Sequence, residues 1–350
     1  MNCLEKALFL LCLAGQAQAA DGLIECAAEP DEKLRLACYD AAARLSVMNS
    51  KPLLETGDPL AAQVPVTPAA ATSTAVLSSP MAKFWELGAD DKRGAFIVRT
   101  YQPNYVLPFH YTSGLNRASS RSDDPAGSNQ NGYRKIETKL QISLRAKVAE
   151  DLLLPGADLW FAYTQRALWQ VWDRGGSAPF RSTDYQPEAI YVVPVPEKLS
   201  ALPFDWKLRM LQVGLAHESN GQNLPSSRSW NRAYLGAGFE RGDFSLLFRA
   251  NKRLRMQSDD DNPNLTDYVG RAEVNMAWVP GVSTVSVNWR TTLKSMSRGS
   301  LQVDWTYPVF ASQPAGLRWY FQAFTGYGET LIDYKHRQSS VGLGLSLFQF

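Results

Sequence analysis

After its first twenty residues this chain has no run of 18 consecutive apolar positions, and that absence excludes a transmembrane helix. Neither sign of charge dominates. The 36 Lys and Arg stand against 34 Asp and Glu, a formal net charge of +2, which argues against a dedicated nucleic-acid binder. Cysteine is scarce, with 4 in 350 residues, and histidine scarcer, with 3. Hydrophobic residues are plentiful at 45% against 20% charged, so the chain is neither disordered nor acid-tailed. The mean hydropathy of −0.25 looks soluble but leaves a membrane barrel open, because alternating apolar and polar residues cancel in any window.

The N-terminus reads as a targeting segment. Lys6, the apolar stretch from Ala7 to Ala14 and then Ala17-Gln18-Ala19 have the pattern of a secretory signal peptide over residues 1–19. No Cys follows Leu13-Ala14-Gly15, where a lipoprotein would need one. Cleavage removes Cys3 and Cys12 and leaves Cys26 and Cys38. An even count in an oxidising compartment favours a disulfide between them, with two unpaired thiols as the alternative. Residues 20–48 form a small helical segment by pattern. Asp31 is a candidate cap, and Leu34, Ala37, Cys38, Ala41, Ala42 and Leu45 follow at helical spacing. Residues 49–80, rich in Pro, Ala, Thr and Ser, read as a linker.

From 84 to 350 the character is strands and polar turns. Leu140, Ile142, Leu144, Ala146 and Val148 alternate with Lys139, Gln141, Ser143, Arg145 and Lys147. Phe244, Leu246, Phe248 and Ala250 repeat the pattern, as do Ala272, Val274, Met276 and Trp278, and Leu301, Val303, Trp305 and Tyr307. Period two means strands with one apolar and one polar face. A soluble sandwich has such strands too, but here many Trp and Tyr sit near strand ends, like the girdles of a membrane barrel.

Twelve segments are expected, near 94–106, 138–148, 157–168, 187–195, 207–219, 229–240, 243–255, 268–278, 282–290, 299–307, 316–327 and 338–350. Connections after even-numbered segments are short, as at 241–242 and 279–281; those after odd-numbered ones are long, as at 107–137, 169–186 and 256–267. That asymmetry and the even count predict an all-β fold, a twelve-stranded antiparallel transmembrane β-barrel over 84–350 in an outer membrane. Its lumen face would carry Lys139, Arg145, Lys147, Arg249, Arg271, Glu273 and Arg318, either interlocked or lining a channel.

Polar residues interrupt the lipid-directed face at one place. Leu211, Val213 and Leu215 continue by twos to His217 and Ser219, while Ala233, Leu235, Ala237 and Phe239 count back to Asn231. A hairpin symmetric about Leu224 sets 217 against 231. Polar groups on a lipid face are costly, which makes them candidates for function. A serine hydroxyl needs a base to take its proton, His is that base near neutral pH, and an amide oxygen can orient the ring without a buried charge. Glu218 falls on the lumen side. His110 and His336 fall in expected external loops and receive no catalytic role.

At these residues the chain resembles a known family. His217-Glu218-Ser219-Asn220-Gly221 and Ser226-Ser227-Arg228-Ser229-Trp230-Asn231-Arg232 are similar to the signature of outer membrane phospholipase A. Tyr163-Thr164-Gln165, Ser177-Ala178-Pro179-Phe180-Arg181, Asp260-Asp261-Asn262-Pro263 and the stretch from Gly326 to Tyr334 match as well. The likeness covers roughly 84–350 and leaves out 20–80. It implies hydrolysis of phospholipid acyl esters at sn-1 and sn-2 in the outer leaflet, a requirement for Ca2+, and activity as a homodimer.

By the same resemblance Ser219 is the nucleophile, His217 the general base and then acid, and Asn231 the orienting residue. Calcium would sit beside the triad on oxygens: the carbonyl of Ser177 of the partner subunit, the main-chain carbonyl of Gln222, the hydroxyl of Ser227, and Asp261 in the next external loop. Hard oxygen donors suit that ion. Leu224 stands where family members often carry an acidic residue, so one carboxylate of the loop is missing. Gln165 shares its face with Leu159, Phe161 and Tyr163; the resemblance makes it a dimer contact, and reaching headgroups is the alternative. The competing function is a passive pore or structural barrel with a vestigial site. A soluble secreted lipase is more distant, for Ser219 lacks a G-x-S-x-G turn.

Overall fold

The structure, a computed structural model, describes residue 31 and residues 79–116, 133–175, 179–223, 226–254, 262–294 and 297–347. The expected signal peptide, the Cys26–Cys38 pairing and, apart from Asp31, Ser79 and Pro80, the helical segment and linker lie outside the described residues. Among the described residues no helix is long and apolar enough to cross a membrane.

Twelve strands close a barrel. The first, β1, has two pieces, Val98–Thr100 and Asn104–Thr112. Then follow β2 (Ile136–Ala149), β3 (Asp158–Trp169), β4 (Phe180–Pro194), β5 (Lys207–Ser219) and β6 (Ser229–Arg241). The second half holds β7 (Phe244–Leu254), β8 (Ala272–Trp278), β9 (Thr284–Thr291), β10 (Gly299–Pro308), β11 (Arg318–Tyr327) and β12 (Arg337–Leu347). Each strand pairs antiparallel with the next, and β12 returns to pair with β1, so the sheet has no free edge. The tightest turns, at residues 242–243 and 279–283, lie at one end as expected, and the long connections 113–135 and 255–271 at the other; the turn-end connection 195–206 departs from the pattern, being longer than those at 220–228 and 292–298.

The apolar face points outward. Along β12 exposed and buried residues alternate, and Val106, Ile142, Leu144, Phe161, Val213, Leu235 and Leu343 stand exposed on the outer wall. Aromatic residues ring both ends. Phe109 stacks on Trp172 and Trp169 on Phe180 at the loop end, while Phe244 stacks on Trp278 and Trp305 on Tyr307 at the turn end. An apolar band between aromatic girdles is what a barrel needs when its solvent is lipid.

The interior is polar and interlocked on one side. Lys139 Nζ reaches Gln322 Oε1 and Glu329 Oε1, each at 2.7 Å; Arg181 bonds both oxygens of Glu137 and also Asp333. Toward β7–β10 a cavity of ≈ 770 Å³ remains, lined in part by Ser245, Asn251, Asn275, Ser286 and Asn288. Helix α1 (Pro80–Trp85) enters this interior near the turn end, where its chain leaves the expected linker. Ser79 caps it and Glu86, at φ 55°, ends it. The Met81 N–H donates to Glu240 Oε1 at 2.6 Å, and Trp85 meets Trp160 edge-on. The Arg145 guanidinium lies 3.7 Å from the Phe84 ring centroid and 4.5 Å from that of Trp85. Lys147 Nζ pairs with Glu86 at 2.8 Å, fixing the helix end.

Three expectations shift. The first strand runs on to Thr112, and a bulge between Leu107 and His110 re-aims the histidine inward. His110 is therefore no loop residue but a buried lumen group, 3.0 Å from Glu329 Oε1. Burial alone would raise the Glu329 carboxyl, but Lys139 and the His110 ring outweigh it and hold it well below the usual carboxylate range. The fourth strand starts at Phe180 rather than 187, because the lost N–H of Pro187 falls where the ladder to β5 is open. Arg271, at the loop end of the lumen face, is half-exposed and pairs with Asp267 rather than with an interior group of the barrel.

One close approach makes a test of this packing. Gly214 of β5 lies under the Tyr234 ring, where an added Cβ would stand 2.0 Å from Cζ. The Tyr234 hydroxyl donates to Glu188, so the ring cannot swing aside freely. Gly214→Ala should destabilise the refolded barrel by about 1–3 kcal/mol, read as a lower urea midpoint in lipid vesicles.

Candidate active site

The β5–β6 hairpin builds the site. Exposure along β5 alternates so that Leu211, Val213, Leu215, His217 and Ser219 share the outer wall, and Glu218 faces in. On β6 Asn231, Ala233 and Leu235 share that wall. The register sets His217 against Asn231 and Ser219 against Ser229. His217 Nδ1 and Asn231 Oδ1 are 2.9 Å apart. An amide oxygen only accepts, so Nδ1 carries the proton, and in the neutral ring Nε2 is the nitrogen that holds the lone pair. A base so oriented, two residues from a serine hydroxyl on the same face, has the parts needed to activate that hydroxyl. All three side chains are half-buried among apolar neighbours on the lipid-facing wall.

Beyond Ser219 the loop to β6 is tied by one side chain. Asn220 is buried; its Nδ2 donates to Ser226 O at 2.8 Å and its Oδ1 accepts the N–H groups of Gln222 and Arg228. Gly221 adopts φ 63°, and a Cβ there would stand 3.1 Å from the Tyr185 ring. Gln222 is exposed and Ser227 half-buried on the same loop, which joins Ser219 to β6. Ser177, Leu224 and Asp261 lie outside the described residues. Among the described residues no group of three or more His, Cys, Asp or Glu is arranged to hold a metal ion, and the oxygens this loop itself would give a cation are carbonyl and hydroxyl. Those are donors calcium accepts, and the two described residues fit it.

Gln165 faces outward on β3 and accepts a hydrogen bond from the Tyr163 hydroxyl at 3.3 Å. It registers against Tyr185, which in turn registers against Ser219, so one row crosses three strands. Glu218 accepts from Arg166 Nη2 at 2.9 Å and from Trp230 Nε1 and Arg232 Nη1 at 3.0 Å each, a lumen network as expected. Two neighbours escaped the sequence. Tyr185 was hidden because Pro187 made residues 180–186 read as loop. Asn220 had a signal, an Asn before Gly just past a strand, which is a turn-stapling pattern.

The sequence pattern of the phospholipase A1 family matches residues 81–347. Phospholipase A1 of Escherichia coli K12 is 32% identical over 72% of this chain and 82% of its own length; that of Klebsiella pneumoniae is 33% identical over 73% and 84%. A Neisseria meningitidis serogroup B protein is 36% identical over 92% of this chain and 90% of its own. The outer membrane phospholipase of Salmonella typhi, solved as a dimer with bound calcium, superposes with a TM-score of 0.64 at 31% identity, covering 73% of this chain and 94% of that one. Outer membrane phospholipase A of E. coli superposes with the same score at 30% identity.

Proposed function

Since this chain belongs to the phospholipase A1 family, we propose that its outer-wall residues Ser219, His217 and Asn231 act as a catalytic triad on phospholipid esters. The protein is an integral outer-membrane barrel enzyme that hydrolyses phospholipids. The observation that carries the triad is the 2.9 Å contact between His217 Nδ1 and Asn231 Oδ1 on the lipid-facing wall, two residues from Ser219.

In the proposed sequence His217 Nε2 takes the Ser219 proton as Oγ attacks the ester carbonyl carbon. The tetrahedral adduct collapses, the lysophospholipid leaves with the proton from His217, and Ser219 keeps the acyl group. His217 then takes a proton from water, whose oxygen attacks the acyl carbon; the fatty acid departs and Oγ regains its proton. The family resemblance extends this proposal to both the sn-1 and the sn-2 esters. Calcium, when bound, supplies positive charge beside the developing oxyanion. The Gln222 carbonyl and the Ser227 hydroxyl would hold it with Asp261 and with Ser177 of the partner subunit. Gln165 would contact its twin across a homodimer.

The orienting role has its own test. Asn231→Ala should lower kcat by about 10- to 100-fold, less than loss of the nucleophile, because His217 still samples the productive orientation for part of the time. Asn231→Asp should keep much of the activity, for its carboxylate also accepts from Nδ1. An Ala variant as inactive as one lacking Ser219 would show that Asn231 does more than orient.

A further inference from the structure

The backbone ladder beside His217 is open. On β4, Tyr185 registers against Ser219 and Glu188 against Ala216, with no residue of β4 paired to His217 or Glu218 between them. Pro187 occupies this gap and has no N–H to give. The strand that carries both His217 and Ser219 thus has a missing rung on its β4 side, while its ladder to β6 is continuous.

A lumen side chain spans the opening. Glu218 is only 7% exposed, and its three donors come from both flanks. Arg166 belongs to β3, on the far side of β4; Trp230 and Arg232 belong to β6. Side chains alternate across the wall, so each inward group fixes the backbone of an outward one. Glu218 lies between His217 and Ser219, Trp230 and Arg232 flank Asn231, and Arg166 follows Gln165. Charge-assisted bonds to two guanidinium groups are the strong kind.

We propose that Glu218 is a positioning residue for the Ser219–His217–Asn231 site, setting its geometry through the barrel wall by bridging the gap left at Pro187. This inference rests on the triad reading above. A carboxylate suits the task because it accepts all three bonds. Glutamine of the same shape turns an amide donor toward one guanidinium, and the β5 backbone loses its cross-strand tie while the volume is kept.

The test uses full-length refolded protein with calcium and mixed micelles of phospholipid and detergent. Glu218→Gln should retain the heat-modifiable migration of a folded barrel and lower kcat about 10- to 100-fold, with KM within twofold of wild type. In an Asn231→Ala background the same substitution should cost at most twofold, since the hydrogen bond it aligns is already gone. Wild-type kcat, an effect on KM alone, or losses that simply multiply in the double variant would overturn the proposal. Should Glu218→Gln fail to fold, Trp230→Phe removes one of the three bonds at nearly constant volume. It should lower kcat severalfold at unchanged KM; an unchanged rate overturns the proposal. Ser219→Ala is assayed alongside: if it stays active, the triad reading fails first, and this inference with it.

Discussion

Ser219→Ala is expected to reduce phospholipid hydrolysis by about 10³-fold or more, roughly 4 kcal/mol of transition-state stabilisation, while the barrel refolds as before. In the proposed mechanism this hydroxyl forms the acyl intermediate with His217 as its base, and without it the ester meets no covalent route. The fold has no stake in the change. Ser219 is a half-buried outward residue at the end of β5, and alanine is as acceptable to lipid as serine. Heat-modifiable migration should be unaltered, and a sulfonyl fluoride should label wild type but not the variant. Hydrolysis near the wild-type rate in Ser219→Ala would remove the triad from this protein.

Chelation of divalent cations is expected to lower activity by about 10²-fold or more, because the charge that would stabilise the oxyanion is lost. Returned calcium should restore it with a midpoint toward the micromolar-to-millimolar range, as suits a site of few charged ligands. The proposed ligands are divided between subunits: Ser177 comes from one, and Gln222 with Ser227 from the other. Calcium binding and dimerisation then strengthen each other by the same factor. Dilution into excess detergent should lower specific activity, and calcium should recover it by driving dimers. Ser227→Ala should raise the calcium needed without altering the fold. Cross-linking and hydrolysis followed through one calcium titration decide the matter. Full calcium-stimulated activity in a population shown to be monomeric would refute the shared site.

Local pattern carried much of this structure. Alternation with a period of two names the outward and inward residues of a strand without reference to any partner, since successive side chains must leave opposite faces. Hence the lipid face of β5 through His217 and Ser219, and the inward turn of Glu218, could be read from one segment alone. The pairing of 217 with 231 was legible because the connection is short and a hairpin's register follows from its loop. Strand limits were less legible where a local rule had a nonlocal exception. Pro187 looks like a boundary, and only the open ladder between β4 and β5 lets the strand continue through it to Phe180.

Contacts across the lumen were beyond any local pattern. That His110 would turn inward to Glu329 depends on a bulge whose register is set by two other strands. Nothing near Glu218 in the sequence shows that Arg166, 52 positions earlier, would reach it across an intervening strand. Helix α1 inside the barrel, with Phe84 and Trp85 against Arg145, is likewise a matter of closure. Sequence alone determined which side of the wall the residues of a regular strand face, because that follows from the chirality and pleat of one strand. Which inward groups meet was decided only when β12 paired with β1, since closing the sheet is what brings residues far apart in the chain to face each other across one interior.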